Sequence, residues 1–121
     1  MIKGIIEVII YVQDMSAQVD FYRNTLGLAI SYPQNQADYS KEMWVTFEPS
    51  DCVLALHGGG QGRIGKDSPK IVFGVDDIKS TRKALIGRGV QLGEVRSAAP
   101  GVWVCDGLDP EGNAFSIESR E

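Results

Sequence analysis

At 121 residues the chain holds enough material for one ordinary domain and leaves no room for a second core. Its 43% hydrophobic and 23% charged residues exclude disordered and fibrous classes, and the lack of any run of eighteen apolar residues excludes a spanning helix. The formal charge is −4 and no basic stretch is clustered, which excludes nucleic acid as a partner, since phosphate neutralisation needs a concentrated basic surface.

The opening Met1-Ile2-Lys3-Gly4-Ile5-Ile6-Glu7 puts a carboxylate where a secretory leader would extend its apolar stretch and offers no small-residue cleavage site, so a cytoplasmic protein is expected. The β-branched run Val8-Ile9-Ile10-Tyr11-Val12 reads as a first strand ending at Gln13-Asp14. Ser16 is the expected N-cap of a helix carried by Ala17, Val19, Phe21, Tyr22 and Leu26 and stopped by Gly27. Three extended segments follow, Ala29 to Tyr32, Glu42 to Phe47 and Val53 to His57, with Pro49-Ser50-Asp51 as the turn between the last two. The run from Lys70 to Val75 is the next strand, Asp76-Asp77 ends it, and Ile78 to Ile86 has helical spacing before Gly87-Arg88-Gly89. Val90 to Val95 is a weaker strand, and Val102 to Cys105 and Ala114 to Glu118 are two more, joined by the turn Asp109-Pro110-Glu111-Gly112-Asn113.

Sliding one half over the other by 63 positions superposes Glu7 on Lys70, Val8 on Ile71, Ile10 on Phe73, Val12 on Val75 and Asp14 on Asp77. The chain is therefore read as an internal repeat. It forms one α+β domain over residues 1–121, with module 1 at about 5–57, a glycine-rich linker at 58–69 and module 2 at about 70–119. The linker has neither the lysine-hydroxyl pair of a phosphate loop nor an apolar helix directly after it, so a flexible connection or a lid over a ligand is expected there. Cys52 and Cys105 each sit inside an apolar strand and are expected as reduced, buried thiols.

The stretch from Glu7 to Asp14, the pair Phe21-Tyr22, Leu26-Gly27-Leu28, the second-half run from Ile71 to Asp77 and the closing Asp109-Pro110-Glu111-Gly112-Asn113 resemble the vicinal oxygen chelate superfamily, of glyoxalase, bleomycin resistance protein and extradiol dioxygenase type. The resemblance spans nearly the whole chain and implies two β-α-β-β-β modules forming a curved mixed sheet around a cleft. It implies that metal ligands, where members have them, point into the cleft from positions held here by Glu7, Ala55, Lys70 and Ser116. Only Glu7 of these is a competent ligand. Alanine cannot bind, serine is a poor donor and the lysine ammonium repels a divalent ion. Strand alternation offers a shifted set, Glu7, His57 and Glu118, as a minor alternative for zinc, nickel, manganese or iron. Instead of a metal, an ion pair between Glu7 and Lys70, equivalent positions of the two halves, would hold the modules together.

His57, the sole histidine, is the natural general base should chemistry occur, yet no serine or cysteine is visibly placed as its nucleophile. Trp44 and Trp103 are core residues or stacking surfaces, and Tyr11 and Asp106 share cleft-facing parity with Glu7 and Val104. Cleft candidates are thus Glu7, Tyr11, Trp44, Ala55, His57, Lys70, Asp106, Ser116 and Glu118. The expected function is metal-independent binding of a small molecule, a drug or metabolite, by a homodimer without cofactor; the acidic balance would suit a cationic ligand. Two alternatives stay open: a divalent-metal lyase or isomerase like glyoxalase I, or a dioxygenase, and an accessory dimer whose cleft is vestigial.

Overall fold

In the computed structural model, residues 7–48, 52–61, 65–66 and 68–121 are described. The expected turn at Pro49-Ser50-Asp51 and linker residues 62–64 and 67 lie outside them. The β-branched run after Glu7 makes β1 (Glu7–Tyr11), and the chain then turns into α1 (Met15–Asp20), which continues through a wider π-type turn at Phe21–Thr25. Strands β2 (Ile30–Tyr32), β3 (Trp44–Phe47) and β4 (Val53–His57) complete the first half. The second half repeats the plan as β5 (Ile71–Gly74), α2 (Ile78–Gly87), β6 (Arg96–Ala99), β7 (Val102–Leu108) and β8 (Ala114–Arg120).

Each half forms a four-stranded mixed sheet of the same connectivity, β1-β4-β3-β2 and β5-β8-β7-β6. The pairs β1/β4 and β5/β8 are parallel and the remaining pairs antiparallel. This is the expected α+β class, built from two modules of one plan. The repeat extends to the helix starts. Asp14 accepts a hydrogen bond from the Ala17 amide at 3.0 Å, and Asp77 accepts from the Lys79 and Ser80 amides at 3.1 and 3.3 Å. Asp14, not Ser16, is therefore the cap of α1: a carboxylate satisfies an unpaired amide and meets the positive end of the helix dipole, whereas Ser16, two residues on, already lies inside the first turn.

Alternation gives each sheet two faces. Ile10, Val12, Val45, Phe47, Leu54 and Leu56 from the first sheet and Cys105, Phe115 and Ile117 from the second join Val19, Tyr22, Ile78 and Leu85 in one buried cluster shared by both halves. The opposite, helix-free faces carry the polar candidates. Both cysteines are free thiols, Cys105 fully buried and Cys52 half-buried.

A polar staple fastens the halves. The buried Asp109 carboxylate accepts from Gln18 Nε2 at 2.7 Å and Tyr22 OH at 2.9 Å across the junction, and from Asn113 Nδ2 and the Glu111 and Asn113 amides within its own turn. Burial, with the neighbouring Asp109 charge, drives the Tyr22 phenol well above its ordinary range, so it stays a neutral donor. The same β7–β8 turn sends Glu111 onto the Gln13 and Asp14 amides at 2.9 and 3.0 Å, and Arg88 at the end of α2 donates to the Thr25 carbonyl at 2.8 Å.

One strand expectation shifts. The Val90 to Val95 stretch carries a single bridge, Leu92 to Gly107, and the ladder to β7 falls instead on Arg96–Ala99. Val90, Leu92 and Val95 pack against the core without a ladder, so their apolar pattern is satisfied by packing alone. The first glycines of the linker are also anchored: the Gly58 amide donates to the Met43 carbonyl at 2.8 Å and Gly60 to Val12 at 3.0 Å.

Candidate functional site

Register puts the first-half candidates together. Tyr11 lies opposite His57 across the β1/β4 pair, Trp44 lies opposite His57 across β3/β4, and Ala55 sits between Ile9 and Thr46. The Tyr11 and His57 ring centroids are 5.0 Å apart, and Trp44 meets His57 edge-on at 5.8 Å. This is an aromatic patch, with Tyr11 56% exposed and Trp44 and His57 half-buried, while Ala55 is fully covered. His57 Nδ1 lies 2.7 Å from the Gly58 carbonyl. A carbonyl only accepts, so Nδ1 carries the proton, and in the neutral ring Nε2 keeps its lone pair. Glu7 is exposed at the start of β1.

The second-half candidates form a charged cluster. Asp106 on β7 lies opposite Ser116 on β8, which lies opposite Val72 on β5, so three neighbouring strands deliver side chains to one spot. Asp106 Oδ1 accepts from Lys70 Nζ at 2.7 Å and from the Ser116 hydroxyl at 2.5 Å, and Oδ2 accepts from Arg96 Nη2 at 3.0 Å. The Lys70 bond, then those of Ser116 and Arg96, hold the Asp106 carboxyl well below the usual carboxylate range. Lys70 and Arg96 remain about half exposed at 45% and 54%. Glu118 bonds Arg120 Nε at 2.6 Å further along β8. Trp103 lies on the other face of β7, beside Val95 and Ser119, and is not part of this surface.

The expected Glu7–Lys70 pair is not made. Lys70 is committed to Asp106, and among the described residues no ion pair joins it to Glu7. Asp106 stands two strands away in the same sheet, within reach of a lysine stem, whereas pairing with Glu7 would have to cross between sheets.

The donor set does not suit a divalent cation. Of the four positions that the resemblance implies, Ala55 has no side-chain donor atom, Lys70 brings a positive charge and Ser116 already donates its hydroxyl proton to Asp106. Among the described residues no three His, Cys, Asp or Glu side chains converge in a metal-holding group, and Glu7, His57 and Glu118 do not assemble into one. Burial also pushes the Cys105 thiol up, away from the thiolate form.

The family model of the Glyoxalase/Bleomycin resistance protein/Dioxygenase superfamily matches residues 4–117. The chain belongs to this superfamily. Solved members and neighbours share the fold end to end. A superfamily member from Sphaerobacter thermophilus DSM 20745 is 26% identical with a TM-score of 0.76, covering 98% of each chain. TnmS3, an antibiotic binding protein from Streptomyces sp. CB03234, superposes with a TM-score of 0.80 at 20% identity, over 99% of this chain and 98% of that one. Lactoylglutathione lyase from Agrobacterium tumefaciens superposes with a TM-score of 0.73 at 17% identity, over 98% and 94%. No curated protein matches the sequence. The superfamily fold thus accommodates binders and lyases alike, and the side chains on the open faces must distinguish them.

Arg96 is the member of the charged cluster that the sequence reading misses. It follows directly on a segment read as ending at Val95, and its only visible signal is even-numbered parity with Asp106 across a β6/β7 pairing not expected at that register.

Proposed function

We propose that the protein binds a small molecule on the open faces of its two sheets without a resident metal. The observation that carries this reading is the commitment of Lys70 and Ser116, two of the four superfamily ligand positions, to the Asp106 carboxylate. An ammonium and a hydroxyl engaged in this way stabilise an ordered charged surface and disfavour a divalent ion. The aromatic patch of Tyr11, Trp44 and His57 supplies apolar contact area with polar tips, the usual make-up of a small-molecule site. The exposed Tyr11 and Val72 on the outer strands β1 and β5 support the further reading that two copies pair as a homodimer.

Elemental analysis of protein purified without a metal-affinity tag tests the proposal. Sub-stoichiometric zinc, nickel, manganese and iron are expected, with a melting temperature unmoved by chelator and raised by at least one compound from a panel of small aromatic metabolites and antibiotics. Stoichiometric metal whose removal lowers the melting temperature would replace this reading with a metal-dependent lyase or dioxygenase.

A further inference from the structure

The chain is acidic overall, but the cluster around Asp106 carries an excess of positive charge. Around one carboxylate stand an ammonium and a guanidinium, and the carboxylate is itself fully engaged, Oδ1 by Lys70 and Ser116 and Oδ2 by Arg96. Each cation spends one donor on Asp106 in these bonds. An ammonium has three N–H groups and a guanidinium five, so donors remain on both, and both side chains are about half exposed. Asp106 holds the two cations apart and in register, the preorganisation that a site for an oxyanion requires.

The surroundings add a second, independent feature. A cavity of about 730 Å³ has Lys70 and Asp106 on its wall, and the rest of its lining is largely apolar, with Ile86, Leu92, Leu108 and Ala114 among its members. Ile86 and Leu108 are 43% and 57% exposed, large apolar side chains left uncovered beside a charged pair. A cationic surface bordering an apolar groove matches a ligand with an anionic head and an apolar body.

We propose that Lys70 and Arg96, braced by Asp106, form a recognition site for the carboxylate of an apolar small molecule, standing where a metal would otherwise meet the ligand's oxygen atoms. The planar carboxylate offers one oxygen to the ammonium and the other to the guanidinium, and the apolar body lies along Ile86, Leu92 and Leu108. This rests on the small-molecule reading above and narrows it to a ligand class opposite in charge to the one the net acidity suggests.

A matched series separates the two levels: 2-naphthoate, 2-naphthamide and 2-naphthylmethylammonium share one ring system and differ in head group. Titrations of the full chain by calorimetry should show naphthoate binding at least tenfold more tightly than the amide, and the ammonium compound more weakly than both. Lys70→Gln and Arg96→Gln should each reduce naphthoate affinity several-fold and leave the amide unchanged. Lys70→Arg keeps the charge and should retain the preference, which guards against a merely structural effect of Lys70→Gln. Added salt should weaken only the naphthoate complex. If naphthoate and the amide bind equally, or the glutamine variants leave the preference intact, the carboxylate site is refuted and small-molecule binding stands. If no member of the series binds and no other compound raises the melting temperature, both fail.

Discussion

Asp106 accepts from three side chains at once, and each bond favours its ionised form. A free aspartate titrates near about 3.9, and the folded protein holds Asp106 below that value, so the native state binds fewer protons than the unfolded chain as pH falls through this window. The stabilisation is therefore complete above about pH 5 and is lost progressively on acidification below about pH 4. Because the side chain is about half exposed, solvent screens the effect and it stays modest. Asp106→Asn should be less stable than the wild-type protein at neutral pH, and the difference in melting temperature should shrink as pH drops below about 4. A difference that holds constant down to about pH 2.5 would show that the loss is one of packing or geometry and not of charge. The cluster was only half legible in the sequence. Lys70 stands out through the repeat, Asp106 through strand alternation and Ser116 through the family resemblance, but their mutual bonding depends on β5, β8 and β7 lying side by side, and neighbour order is a long-range property that no local pattern encodes.

At the scale of elements, β6 shows why some boundaries are readable and others not. Val53–His57 is found at its expected limits because it is a central strand covered on both faces, with Leu54, Ala55 and Leu56 all buried, and so reads as a short apolar run. All four residues of β6 are exposed, so the strand leaves no hydrophobic trace, and the apolar residues just before it draw the expectation to Val90–Val95. Gly107 on the neighbouring β7 is part of the reason that segment lies where it does. A Cβ there would stand 2.8 Å from Leu92 Cδ2 and 2.8 Å from Phe115 Cζ, and Phe115 is fully buried. Gly107→Ala should therefore cost about 1–3 kcal/mol, the usual range for overpacking. Gly87 supplies the contrast. It closes α2 with nothing within 4 Å of a would-be Cβ and without a positive φ, so Gly87→Ala should stabilise by about 0.4–1 kcal/mol. Urea unfolding of both variants checks the pair, and similar midpoints would mean that the space around Gly107 relaxes freely.

For the whole molecule the question is whether two repeats behave as two units. Each half has its own sheet, yet α1 and the turn that follows it are fastened to the second half: Phe21 packs on Phe115 at 5.8 Å, and Gln18 and Tyr22 both donate to the buried Asp109. A half of about 60 residues buries too little surface to be secure alone, so the shared core and this staple should make unfolding a single event. The sequence supplies a reporter for each half, Trp44 in β3 and Trp103 in β7. Trp103→Phe leaves Trp44 to report on the first sheet, and Trp44→Phe leaves Trp103 to report on the second. In urea the two fluorescence transitions should coincide. Asp109→Ala strands the Gln18, Tyr22 and Asn113 donors in the interior and should lower stability by about 3 kcal/mol or more, moving both transitions together. Were the Trp44 transition to stay in place while the Trp103 transition moved, the staple would be a local feature of the β7–β8 turn, and the halves would be neighbours that fold independently.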